Sequence, residues 1–205
     1  NSLETGTLDM QETVVGLYST TFTYYYYFDL IRSSTSMGSM KLAEQYTSIF
    51  EADQEGNADR RYVAWFDRNN NWCTKHYNVM YASSNDSGST ATYNGNSILI
   101  RIPEMYYIVA EANLTKDPDK ATEYLDYVVT SRDQTAFADR EAGKITEENI
   151  FNDRRKEFFA DGDDFHNMKR LARDLTISGM GTFAGNDDAT YTMPIPASVE
   201  DNYRQ

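Results

Sequence analysis

Glu104 and Glu111 are the first residues to weigh as chemistry, since a pair of carboxylates facing one cleft is what glycoside hydrolysis needs. Seven residues apart, they share one side of a helix at a separation of about 10.5 Å along its axis. Both sit within the apolar stripe Ile102, Met105, Tyr106, Val109 and Ala112. Acids in such a stripe need a counter-charge more often than they perform catalysis. The spacing therefore predicts that both are buried in ion pairs with Arg154, Arg155 or Arg132, with Arg101 in the same structural set. His76 and His166 are isolated and lack the spacing of a zinc site. Cys73 is the single cysteine, so it has no partner for an internal disulfide. No nucleophile elbow, phosphate-binding loop or dinucleotide fingerprint is present. Asp161-Gly162-Asp163-Asp164 and Asn186-Asp187-Asp188 offer oxygen ligands but not the order of a calcium loop. Turns and helix caps explain them equally well, so no cofactor is expected, with calcium the one left open.

The aromatic loops carry the best functional signal. Sugar rings present apolar C–H faces that stack on flat aromatic surfaces, while their hydroxyls bond to amides and acids. The chain has 16 Tyr and 2 Trp. Trp72 follows Asn69, Asn70 and Asn71; Trp65 and Tyr77 stand close by; Tyr25 and Tyr27 belong to the aromatic run Tyr24–Phe28. These residues are the expected ligand contacts. The competing reading is that alternate members of the run pack inward and that Trp65 is core.

The elements that must position these groups fall into two stretches. Residues 1–97 read as loop-rich and aromatic-rich, facing the ligand. Within them Met10, Val14, Leu17 and Tyr18 have helical spacing, as do Leu42, Tyr46, Ile49 and Phe50. Tyr77, Val79 and Tyr81 alternate like a short strand, and the run from Ser83 to Asn96 has loop composition. Residues 98–205 read as helical. Pro103–Leu114 and Pro118–Arg132 form a hairpin of the tetratricopeptide type, the second helix opened by Asp117-Pro118. Thr146 is placed to cap a third helix that turns Ile150, Phe151, Phe158 and Phe159 inward, Gly162 suits its end, and a fourth presents Phe165, Met168 and Leu171. Pro194-Ile195-Pro196 closes in extended backbone.

Composition bounds the partners. At net charge −13 the chain repels phosphate backbones, so nucleic acid is not expected. No apolar stretch approaches the ~20 residues of a spanning helix. The chain starts at Asn1 without a leader pattern, so any membrane attachment is expected upstream.

Several motifs in fixed order resemble the C-terminal part of the SusD/RagB family of surface glycan-binding lipoproteins. They are the run Leu99 to Ala112, the helix Ala121 to Arg132, the basic segment Asp153-Arg154-Arg155-Lys156-Glu157-Phe158 with Gly162, then Phe165 to Arg170 and Tyr191 to Pro196. Asp59-Arg60-Arg61 and Lys75-His76-Tyr77 resemble shorter elements upstream. Asp153 stands where the family usually has Glu. The resemblance implies a mainly α fold of tetratricopeptide-like hairpins packed against a loop-rich region with few short strands. It also implies a non-catalytic protein that binds oligosaccharide at the outer membrane, exposed on the cell surface and held by a lipid anchor upstream of this chain. Its partner would be a SusC-like TonB-dependent transporter, and this chain would be a piece of a longer protein. The rival readings are a helical-repeat scaffold that binds protein without glycan, and a glycoside hydrolase.

Overall fold

A computed structural model of the chain describes residues 12–22, 49–50, 59–67, 72–73, 75, 93–140, 145–177 and 179–192. The chain groups into two compact units, Asn1–Glu157 and Phe158–Gln205. Helices dominate the described residues, with short two-stranded ribbons between them.

The first unit opens with strand β1, Thr13–Phe22, which pairs antiparallel with β4, Tyr93–Arg101. Both correct the sequence reading, which had helical spacing in the one and loop, then helix, in the other. The sequence TVVGLYSTTF is rich in β-branched and aromatic residues, and that preference outweighs a four-residue coincidence of apolar spacing. β4 also runs across the change in composition near residue 97. Thr13 stands opposite Arg101, so the ribbon delivers Arg101 to the mouth of the next helix.

Helix α1, Arg60–Trp65, starts at Asp59, whose carboxylate accepts the Arg61 amide hydrogen bond. It leads directly into strand β2, Phe66–Asp67, paired with β3, Trp72–Cys73. Phe66 and Trp65 are buried, and Phe50, Tyr62 and Phe66 pack ring against ring at 5.3–5.9 Å.

The helical hairpin follows. Helix α2, Ile102–Asn113, carries Pro103 in its first turn; α3, Pro118–Ser131, is capped by Asp117 accepting from the Lys120 amide. Their contact includes Tyr106 against Tyr124 and Tyr127. Ala121, Leu125, Val128 and Val129 bury the inner stripe of α3. A 3₁₀ turn, Phe137–Asp139, is held by the Asp126 carboxylate, which accepts from the Phe137 and Ala138 amides.

Helix α4, Glu147–Glu157, begins with a reciprocal cap: Thr146 Oγ1 accepts from the Asn149 amide, and the Asn149 side chain accepts from the Thr146 amide. Its inner face buries Ile150, Phe151, Asp153, Arg154 and Glu157. A face with helical spacing thus carries two acids and an arginine among its apolar members.

In the second unit, Gly162 at φ +85° precedes α5, Asp163–Arg170. Strands β5, Leu175–Ile177, and β6, Gly181–Phe183, form a hairpin, and α6, Asp188–Tyr191, closes the described part. Met168 and Tyr191 are buried, and the Tyr191 hydroxyl donates to the Arg173 carbonyl. Gly185 is fixed by space: a Cβ there would collide with the carbonyl oxygens of Ala172 and Arg173.

Candidate functional site

Sequence logic aimed at two places: the acids of the α2 stripe and the aromatic loops. The most heavily organised polar group of the described structure is a third place, the inner face of α4.

Asp153 and Glu157 are four residues apart, hence neighbours on one helix face, where like charges repel. Arg61 lies between them. Its Nη2 donates to Asp153 Oδ1 at 2.7 Å, and its Nη1 reaches Glu157 Oε2 at 3.3 Å. The same guanidinium holds Asp59 through Nε at 2.9 Å and Nη2 at 2.7 Å. Arg132 grips Glu157 with two hydrogen bonds, 3.0 and 2.9 Å, and Arg101 adds a third at 2.7 Å. Arg132 also binds Glu12 at 3.0 and 2.9 Å. The Tyr107 hydroxyl donates to Asp153 Oδ2 at 2.6 Å. Residues distant in sequence therefore meet on one helix.

The end of α4 supplies a further reason for the cations. Carbonyls of the last turn have no helical partner and carry the negative end of the helix dipole. The Glu157 carbonyl accepts from Lys75 Nζ at 2.9 Å and Arg101 Nη2 at 2.7 Å. Lys75 is itself fully buried, with its ammonium 4.4 Å from the Trp65 ring centre.

Burial alone would push the Glu157 carboxyl up, yet the guanidinium groups of Arg132, Arg101 and Arg61 hold it well below the usual carboxylate range. Asp153 behaves likewise: burial opposes ionisation, and Arg61 overrides it to leave the pKa lowered. Burial and the adjacent Asp153 and Glu157 raise Tyr107, which keeps its hydroxyl protonated as a donor. Carboxylates held ionised in this way cannot donate a proton at neutral pH as a general acid must. The cluster is built to hold segments together.

Of the acids singled out in sequence, Glu104 meets α4 through Arg154. Glu104 and Glu111 are half-buried, a correction to the expectation that both are buried. Glu104 pairs with Arg154 at 3.2 Å, with 26% of its side chain exposed. Arg101 meets Glu157. Arg155 lies over the Phe151 ring at 5.3 Å. The Glu104–Arg154 pair was expected; burial falls short because α2 turns Pro103, Tyr107 and Ala110 inward, which carries the 104/111 side of the helix toward the boundary. Of the buried acids Asp59, Asp153 and Glu157, the last two were legible only as an i, i+4 pair in step with Ile150.

Trp65, expected as a ligand contact, is 2% exposed, so its ring is core and has no face to offer a sugar. Trp72 stands opposite Asp67 in the β2–β3 ribbon, whose other pair is Phe66 with Cys73. Asn69, Asn70, Asn71, Tyr77, Tyr25 and Tyr27 lie outside the described residues, as do Tyr77–Tyr81 as a strand and Pro194–Pro196. Among the described residues no group of three or more His, Cys, Asp or Glu is arranged to hold a metal ion. Asp163 and Asp164 sit in the first turn of α5, and Asp187 caps α6 by accepting from the Ala189 amide.

A cleft of about 470 Å³ runs along α3, lined by Asp119, Thr122, Glu123, Asp126, Tyr127 and Thr130 with Ala138. Most of its polar groups are already engaged. Tyr127 donates to Glu123 at 2.7 Å, Thr122 and Thr130 donate to carbonyls one turn back, and Asp126 holds the 3₁₀ turn.

Comparison with known proteins places this arrangement. A solved structure of a Bacteroides vulgatus protein, provisionally described as sugar binding, superimposes with a TM-score of 0.56 at 22% identity. The match covers 78% of this chain and 36% of that chain, so this chain spans about a third of its length. At that identity the likeness shows the fold. No curated protein matches the sequence. The sequence pattern of the SusD family matches residues 66–202, well over half of the chain. That range takes in Arg101, Tyr107, Arg132, Asp153 and Glu157 of the ion cluster, and the chain belongs to the SusD family.

Proposed function

We propose that this chain serves a non-catalytic receptor that binds an oligosaccharide at the bacterial cell surface and passes it to a TonB-dependent outer-membrane transporter. The observation that carries the reading is the family match over residues 66–202. The sugar-binding description of the B. vulgatus protein is consistent with it. Asp153 and Glu157, locked as ionised partners of arginine, offer no general acid at this cluster. Attachment to the outer membrane through a lipid anchor upstream of the chain, and a SusC-like partner, belong to the same proposal.

The ligand contacts we assign are Trp72, Tyr77 and the Asn69–Asn71 amides, with Tyr25 and Tyr27. The β2–β3 ribbon gives this assignment a physical basis. Its root is the buried pair Trp65 and Phe66, so the connection between Asp67 and Trp72 springs from a fixed base. Loops on a rigid base present binding residues without disturbing the core. A receptor that must release its ligand needs only moderate affinity, which a wet, aromatic-lined site provides.

Calorimetric titration against a panel of oligosaccharides, with product analysis of the same mixtures, tests the proposal. Binding without release of new reducing ends is expected. Hydrolysis that disappears in Glu104→Gln or Glu111→Gln would replace this reading with a glycosidase. Absence of binding to every glycan, beside tight capture of a protein, would favour the scaffold.

A further inference from the structure

We propose that the cleft along α3 is a second ligand site, and that it takes a protonated amine carried on a sugar ring, as in an oligosaccharide of free amino sugars. Asp119, Glu123, Asp126 and Thr130 follow one another at i, i+4, i+7 and i+11, a single stripe about 16 Å long. The hollow beside them measures about 470 Å³, within the range of small-ligand clefts. Two further features of its wall distinguish it from a solvated acidic face. The Tyr127 ring is 51% exposed, and it is propped by Tyr106 at 5.7 Å and by Tyr124 at 5.8 Å, edge-on at 84°. A flat ring fixed by two others is a stacking surface that loses little freedom when a ligand covers it. Thr122 lines the same cleft although only 7% of it is exposed, so a hydroxyl oxygen lies deep in the wall.

The hydrogen bonds already made select the occupant. The Tyr127 hydroxyl donates to Glu123, Thr122 to the Pro118 carbonyl and Thr130 to the Asp126 carbonyl. The side-chain donors of the cleft are thereby spent. What remains is acceptor capacity: the second oxygen of Glu123, both oxygens of Asp119 and the lone pairs of the two threonines. Among the described residues none of Asp119, Glu123 and Asp126 pairs with a lysine or arginine. The wall therefore fits a group that brings both protons and positive charge. The Tyr127 face adds to this, since an ammonium within ~6 Å of a ring centre is attracted to it. The chain's own Lys120 already sets its ammonium 6.0 Å from the Tyr124 ring centre. A peptide carries a carbonyl for every N–H, and carbonyls desolvated here would meet no side-chain donor. Sugar hydroxyls bring a proton each. The positive charge is read from the cleft alone; its sugar carrier rests on the glycan-binding function proposed above.

The test is calorimetric titration of the full polypeptide with a glucosamine tetramer, its N-acetylated counterpart, a neutral glucose tetramer and tetralysine. The glucosamine tetramer should bind, and more weakly as salt rises from about 0.1 to about 1 M, which shortens the screening length from ~10 to ~3 Å. Asp119→Asn combined with Glu123→Gln removes two charges at exposed positions and keeps an acceptor for Tyr127. It should weaken that binding by about five- to tenfold. Equal binding of the N-acetylated tetramer, an equal hold on tetralysine that the double variant also loses, or wild-type affinity in the double variant would overturn the proposal. Binding of neutral or acetylated glycan without the glucosamine tetramer would remove this site and leave the glycan-receptor reading intact.

Discussion

Glu157 and Glu104 are the same residue type, each paired with arginine, and they occupy two quite different places. Glu157 has no exposed surface and receives hydrogen bonds from three guanidinium groups. Glu104 keeps a quarter of its side chain in water and meets one arginine at 3.2 Å. Removing a carboxylate from the first place strands buried cations; removing it from the second lets water replace it. The number of charged neighbours left behind, more than the presence of a salt bridge, sets what such a pair contributes.

The largest effect expected from this contrast is Glu157→Ala. It leaves Arg132, Arg101 and Arg61 without their shared acid and should destabilise by about 3–5 kcal/mol or abolish folding. A denaturant melt close to wild type would show that the cluster is wetter than its geometry implies.

Acid should act through the same place. Both Asp153 and Glu157 have folded pKa values below their unfolded ones, near ~3.9 and ~4.3 respectively. The folded state therefore binds fewer protons, and their contribution is complete above about pH 5. It is lost as pH falls through the unfolded values and on toward the depressed folded ones. Thermal melts from pH 7 to pH 3 should show a decline beginning near pH 5, and Glu157→Gln should flatten it. A wild-type profile level down to pH 3.5 would contradict the assignment.

Tyr107→Phe comes next. It deletes one donor to Asp153 and keeps the ring, so a loss of about 1–2 kcal/mol is expected in the same melts. Glu104→Ala follows, at under about 1 kcal/mol, for a half-exposed pair. Equal losses in Glu104→Ala and Glu157→Ala would erase the distinction between rim and core. The smallest stability change expected is that of Trp72→Ala, which should weaken glycan binding in calorimetry while leaving Tm nearly unchanged. A collapsed melt would move Trp72 into the core beside Trp65.

The helices of the 98–205 stretch were readable because each carries several independent signals. Asp117-Pro118 sets the start of α3 and Thr146 caps α4, whereas α4 ends at Glu157, and Gly162, expected to stop it, precedes α5 instead. The β1–β4 ribbon was not readable, because a strand pair depends on a partner some eighty residues away, which local spacing does not contain. The arginine–acid cluster was half readable. Pairing of an acid in the α2 stripe with Arg154 could be expected and is present at Glu104, but the fully buried acids of the cluster, Asp59, Asp153 and Glu157, lie elsewhere.

The amino-acid sequence by itself determined the helical class, the hairpin and its caps, and an order of motifs sufficient to point to the family. These are properties of residues within a few turns of one another, where sterics, capping and periodicity act. The tertiary structure decided which acids are buried, that Arg61 bridges Asp59, Asp153 and Glu157, and that Trp65 is core while Ile108 is not. Burial and charge pairing are sums over neighbours brought from distant parts of the chain, and only the fold fixes those neighbours.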